Sequence, residues 1–313
     1  GLVVLTHSLG EFPELVGVGA FGVDIFFVIS GFIIYYITKS DVRFFLLKRL
    51  MRIVPMYWLF TLGIVFASLV VPSVLKSAVF DWNHILASLF FVPFWTESNG
   101  FNPILKLGWT LNFEMLFYGI FYFSAKISHA HRALISSFLI LVIVYSLNYF
   151  EVRESSPLRF YNSLIWLEFI GGMFLAWVYG KWGLGRGFFP FIIFFSSLSI
   201  LIYTDVNELD VFSRVLIWGI PAWLMVASTL SLEPYFGLLG DRFQRKIVWL
   251  GEMSYPLYLL HMYVIVIISR FFDFDLGFLL LFLFSLSLSL AASSLVNRMY
   301  DVPLRRFISR LFD

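Results

Sequence analysis

Long apolar runs separated by short polar connections dominate this chain. Neither the strict alternation of half-buried strands nor the charged stripe of soluble amphipathic helices prevails. A helix needs about 20 mostly apolar residues to cross a bilayer. Nine runs approach or reach that scale, at 16–37, 53–72, 108–126, 133–150, 161–180, 187–203, 212–231, 247–270 and 276–296. Gly31, Gly171, Gly172 and Pro221 interrupt some of them, as membrane helices tolerate. The patch Ile85–Trp95 is only about 11 residues long, below spanning length, and reads as interfacial or re-entrant. Gly1–Ser8 reads as the last turns of a further helix, about 12 Å long. This stub predicts that the natural protein extends upstream and that its first membrane helix is incomplete here. A signal peptide is the other reading of the stub, but no small-residue cleavage pattern follows it. The pattern predicts an all-α integral membrane protein, a bundle of ten transmembrane helices, with residues 1–313 forming a single domain.

Composition agrees: 60% of residues are hydrophobic and 13% are charged, against about 25% charged in a soluble domain. The chain has no cysteine, which excludes disulfides and thiolate chemistry. The five histidines are scattered, without zinc-ligand spacing, so no metal is expected. A net charge of +2 says little, but its distribution says more. If the first helix exits outward, the segments 39–52, 126–132, 181–186, 232–246 and 297–313 share one side. Only Lys76, Lys106, Arg153, Arg159, Arg214 and Arg270, of 22 basic residues, fall on the other side. That asymmetry makes the first side cytoplasmic. Counting Ile85–Trp95 as a full span would reverse every later loop and spoil it.

Ionisable groups within apolar runs are costly, and each is a candidate site. His7, Asp24, Glu114, Glu168 and His261 lie on five different helices, all toward the outer half of the membrane. A single polar cavity would explain their shared depth. The alternative for each is structural: a lone membrane carboxylate pairs with a neighbouring Ser, Asn or Tyr, and His261 or His7 serves as a hydrogen-bonded or interfacial histidine. Arg49 and Arg52, three residues apart, share a helix face beside Pro55-Met-Tyr-Trp58. They form either a guanidinium fork suited to phosphate groups or simple anchors beside lipid headgroups. An imidazole at His7 has the proton affinity of a general base, and a carboxylate such as Asp24 suits it as an orienting partner. No Gly-x-Ser-x-Gly elbow supplies a serine nucleophile.

Five ordered blocks carry a family resemblance. They are Gly22-Val-Asp-Ile-Phe-Phe-Val-Ile-Ser-Gly31-Phe after the helix-end His7, Phe45-Leu-Leu-Lys-Arg-Leu-Met-Arg-Ile-Val-Pro-Met-Tyr-Trp58, Trp109-Thr-Leu-Asn-Phe-Glu-Met-Leu-Phe-Tyr118, Leu250-Gly-Glu-Met-Ser-Tyr-Pro-Leu-Tyr-Leu-Leu-His261 and Tyr300-Asp-Val-Pro-Leu-Arg-Arg306. Over almost its whole length the chain resembles the membrane acyltransferase-3 family, which O-acylates bacterial surface and exported carbohydrates, and within it the exopolysaccharide acetyltransferase branch. The resemblance implies ten helices and a multi-pass protein of the bacterial cytoplasmic (inner) membrane. It implies that His7 is the catalytic histidine and that Arg49 and Arg52 serve a cytosolic acyl-CoA donor. It also implies a functional arginine ten intervening residues before His7, upstream of Gly1, so that the chain as written lacks it. Asp301 stands where the family often has Glu.

The expected function is transfer of an acetyl group from acetyl-CoA to a hydroxyl of an exopolysaccharide, O-antigen or lipid-linked sugar. His7, Asp24 and Glu114 are the catalytic candidates, and Arg49 and Arg52 the donor-binding ones. Tyr118, Tyr255 and His261 would line the substrate cavity, and aromatic residues near Trp95 and Trp109 would stack on sugar rings. The expected partners are acyl-CoA, the carbohydrate acceptor and membrane lipids, with no nucleic acid. The competing class is a transporter or flippase for a polyprenyl-linked sugar; many such folds carry an internal repeat, and none is visible here.

Overall fold

The computed structural model describes residues 21–39, 42–70, 81–97, 100–150, 152–185, 187–204, 211–271, 278–304 and 306–307. Among these residues the protein is helical, with no strand beyond one isolated bridge, Thr96 to Gly100. The principal helices are α1 (Gly22–Ile37), α2 (Phe45–Val70), α3 (Trp82–Leu89), α4 (Gly108–Ile127), α5 (Arg132–Tyr149), α6 (Trp166–Trp182), α7 (Phe189–Tyr203), α8 (Ile220–Phe236), α9 (Asp241–Glu252), α10 (Ser254–Phe271) and α11 (Phe278–Val296). Among the described residues, three stretches are long and apolar enough to cross a membrane, Phe45–Val70, Arg132–Tyr149 and Val215–Leu239, while Gly22–Ile37 and Phe189–Tyr203 are apolar but shorter.

Three boundaries differ from the hydropathy pattern. The run 247–270 is two helices, because α9 ends at Glu252 and α10 starts at Ser254. The run 161–180 starts as a helix only at Trp166, after a one-turn helix Pro157–Phe160 capped by the Ser156 hydroxyl. Helix α2 begins eight residues before the apolar run. Leu, Lys and Arg are good helix formers, so Lys48, Arg49 and Arg52 stand on helix rather than in a loop. The short patch behaves as its length dictates. Asp81 caps α3 by accepting the Asn83 N–H at 2.9 Å, and the helix stops after eight residues where Phe91 takes φ +58°.

The chain divides into two compact units. One combines the described residues up to Ile37 with Leu164–Phe307; the other is Thr38–Ser163. In the first unit α1 crosses α6 at two glycines. A Cβ on Gly172 would lie 2.8 Å from the Phe32 nitrogen and 3.0 Å from the Gly31 Cα, and closer still to the Val28 carbonyl oxygen. A Cβ on Gly31 would meet the Phe169 backbone. The helices therefore touch backbone to backbone, as small residues permit in membranes. Val28, Phe32, Leu175, Ala176, Ala222 and Val226 close the core around this crossing. Helix α8 also packs on α7, and α10 on α11. On α11 the buried Ser285, Ser289 and Ser293 recur every fourth residue, so they share one face.

In the second unit α4 packs against α2 and α5. Tyr57 fills the space over Gly108, where a Cβ would come within 2.5 Å of its hydroxyl oxygen. The Trp58 indole N–H donates to the Leu89 carbonyl at 2.8 Å and ties α3 to α2.

Candidate functional site

Two buried polar centres emerge, one in each unit. In the unit Thr38–Ser163, Glu114 and Tyr118 are one turn apart on α4, and both are buried. The Tyr118 hydroxyl donates to the Glu114 carboxylate. Phe45 of α2 lies edge-on to the Tyr118 ring at 5.8 Å and to Phe121 at 5.6 Å. Arg49 and Arg52 follow Phe45 at i+4 and i+7, the stripe of α2 turned toward α4. Both guanidiniums are close enough to act electrostatically on Tyr118. The candidate arginines thus stand on the α2 face beside Tyr118 and its partner Glu114. Arg49 is half-buried and Arg52 exposed, while Glu114 and Tyr118 are buried.

In the other unit Asp24 is completely buried in the first turn of α1. It is held by Arg214, whose Nη2 lies 3.1 Å from Oδ2 and whose Nε lies 3.4 Å from Oδ1. The guanidinium also sits over the Trp218 ring, 5.4 Å from its centroid. Glu168, in the first turn of α6, is buried beside both Asp24 and Arg214. Neither of its oxygens has a hydrogen-bond partner among the described residues. Among the described residues the guanidinium bonds Asp24, and Glu168 lies beside that pair. Both carboxyl groups also stand at helix N-termini, where the backbone dipole favours negative charge. The chain between Arg214 and α8 is a single π-turn, Val215–Gly219. Such turns often mark functional positions; here Gly219 brings the backbone close to Glu168.

Arg214 was absent from the sequence-level candidates. Its position just after Asp205, Glu208 and Asp210 makes it look like an outer-loop charge, and only the helix packing shows that it reaches inward. The expected partnership of Asp24 with His7 falls partly outside the described residues, because His7 does. Within them, the partner of Asp24 is Arg214. Glu168 neighbours charged groups rather than the Ser, Asn or Tyr that a packing role would predict.

His261 is buried on α10, and its Nδ1–H donates to the Leu257 carbonyl at 3.2 Å. Tyr255 is half-buried in the first turn of the same helix. The structure keeps these two with Asp24 and Glu168 in one unit, and Glu114 and Tyr118 in the other. Trp95 and Trp109 pack edge-on to Phe101 at 5.0 Å and Phe113 at 6.1 Å. They belong to an aromatic cluster that continues through Phe160 and Tyr161.

The Acyltransferase domain model of the acyltransferase-3 family matches residues 1–298. The chain belongs to the acyltransferase-3 family. As a member it is an acyltransferase. It is 35% identical over 286 residues, 85% of this chain and 83% of the relative, to the exopolysaccharide production protein ExoZ of Rhizobium meliloti (strain 1021). It is 26% identical over 287 residues to YrhL of Bacillus subtilis (strain 168), a protein named for peptidoglycan O-acetylation; that match covers 80% of this chain and 44% of YrhL. No solved structure matches the chain significantly.

Proposed function

We propose that this protein is an O-acetyltransferase that moves acetyl from acetyl-CoA to a hydroxyl of an exopolysaccharide, O-antigen or lipid-linked sugar at the bacterial inner membrane, within a ten-helix bundle. The observation that carries this reading is the 35% identity to ExoZ across most of both chains. The O-acetyltransferase name of YrhL supports the group transferred.

In this reaction the sugar oxygen attacks the thioester carbonyl carbon. A C–O ester bond forms, the C–S bond breaks, and the hydroxyl proton ends on the departing CoA sulfur. His7 is the base that accepts that proton and returns it. Arg49 and Arg52 hold the CoA phosphates by charge-assisted hydrogen bonds. Their place beside Tyr118 supports a donor route along the α2–α4 face, with Glu114 and Tyr118 orienting a hydroxyl or carbonyl there. Asp24 acts as an electrostatic centre fixed by Arg214, and Tyr255 and His261 line the acceptor path.

Membranes carrying the full-length protein, supplied with acetyl-CoA labelled in its acetyl group and with the host exopolysaccharide, test the proposal. Wild type should transfer label to the polysaccharide. His7→Ala should abolish transfer without loss of the protein from the membrane. Arg49→Ala and Arg52→Ala should raise KM for acetyl-CoA by roughly tenfold or more, the factor expected for about 1.4 kcal/mol, the low end of a hydrogen bond to a charged group. A wild type that neither binds acetyl-CoA nor transfers label, yet moves a polyprenyl-linked sugar across the bilayer, would establish the transporter class instead.

A further inference from the structure

Helix α9 takes no part in either polar centre. Its twelve residues, Asp-Arg-Phe-Gln-Arg-Lys-Ile-Val-Trp-Leu-Gly-Glu, are all exposed. It is nevertheless strongly two-sided. Phe243, Ile247 and Leu250 recur at i, i+4 and i+7 and form one apolar stripe. Arg245 and Glu252 stand on the opposite face, and Arg242 and Lys246 flank the stripe. Phe243, Ile247 and Leu250 expose 43%, 41% and 48% of their surface, so the stripe is open along its length. Arg242, Arg245 and Lys246 make no ion pair among the described residues.

Connectivity fixes where this helix lies. The apolar stretch Val215–Leu239 is long enough to cross the membrane, and α9 starts two residues after it ends. The one residue between, Gly240, has φ +82° and ψ 158°, a conformation essentially confined to glycine. No neighbour crowds it, so the glycine is there for the turn and not for space. A span thus stops, the chain bends sharply at Gly240, and an amphipathic helix about 18 Å long follows at the level of the headgroups. Helix α10 begins just beyond it. An apolar stripe with basic flanks at that level matches a surface-lying helix seated on an anionic leaflet. The segment 232–246 also belongs to the side that the positive-inside asymmetry makes cytoplasmic.

We propose that α9 lies in the plane of the membrane surface as a docking element for anionic lipid, with Phe243, Ile247 and Leu250 in the acyl region and the flanking Arg242 and Lys246 on phosphatidylglycerol-type headgroups. The absence of cysteine from the chain allows a direct test. Ile247→Cys and Glu252→Cys are each labelled with bimane in the full-length protein. The protein is reconstituted in equal parts phosphatidylglycerol and phosphatidylcholine, with bromine on the acyl chains of one lipid or the other. Bromolipid should quench the label at 247 and spare that at 252, while aqueous iodide does the reverse. Brominated phosphatidylglycerol should quench 247 more strongly than brominated phosphatidylcholine. Arg242→Gln/Lys246→Gln in the Ile247→Cys background should abolish that difference. Iodide reaching 247 as readily as 252 would put the helix in water, and protection of 247 from both quenchers would put it against protein. Equal quenching by the two bromolipids in the unmutated background would remove the anionic headgroup as its partner. Any of these three results overturns the proposal.

Discussion

At the scale of single residues, the buried polar groups carry the most information and the most risk. The Asp24–Arg214 pair joins a fully buried carboxylate to a guanidinium whose side chain is 31% exposed. Removing one partner of such a pair strands the other, at a cost between the values for exposed and deeply buried pairs, about 1–3 kcal/mol. Arg214→Gln should therefore lower the melting temperature in detergent, and Arg214→Gln with Asp24→Asn should recover much of the loss. For the second centre, Tyr118→Phe should cost about 1–3 kcal/mol, because the buried Glu114 carboxylate loses the Tyr118 hydrogen bond. Glu114→Gln keeps an oxygen for the Tyr118 hydroxyl and should cost less in the same thermal assay. The sequence made Asp24, Glu114 and Glu168 visible, because a charge inside an apolar run stands out. It hid Arg214. A basic residue at the mouth of a run is what lipid anchoring also produces, and a pairing 190 residues apart leaves no local trace.

Among the helices, length and hydropathy were readable, and breaks inside apolar runs were not. The stop at Met253 between α9 and α10 lies inside an apolar run, so a hydropathy window passes over it. In the sequence the polarity of α9 reads only as loop charge, since its stripe needs the helical period to be seen. The α1–α6 crossing was foreshadowed by Gly31, Gly171 and Gly172, although only the geometry distinguishes their roles. Gly172→Ala would push a methyl into the Phe32 and Gly31 backbone, which cannot yield as a side chain does. It should destabilise by about 3 kcal/mol. Gly180→Ala on the same helix meets nothing within 4 Å and should stabilise by about 0.5–1 kcal/mol. Thermal unfolding of the two variants side by side separates backbone crowding from helix propensity.

For the molecule as a whole, apolar side chains cover much of the outside. Phe66, Leu134, Phe138, Tyr145 and Tyr149 are among those strongly exposed on α2 and α5, a surface that lipid rather than water accommodates. If α5 crosses the bilayer in the orientation that the basic residues favour, His131 and Glu154 lie on opposite sides. A membrane-impermeant maleimide should label Glu154→Cys in spheroplasts and His131→Cys only after lysis. The order of synthesis adds a last consequence. The ribosome makes Asp24 190 positions before Arg214, and the intervening chain includes all of Thr38–Ser163. At about 5–20 residues per second, the acid waits roughly 10–40 s for its cation. The nascent chain must shelter a lone negative charge while those residues are made, and α1 gains its glycine-matched neighbour only when α6 emerges.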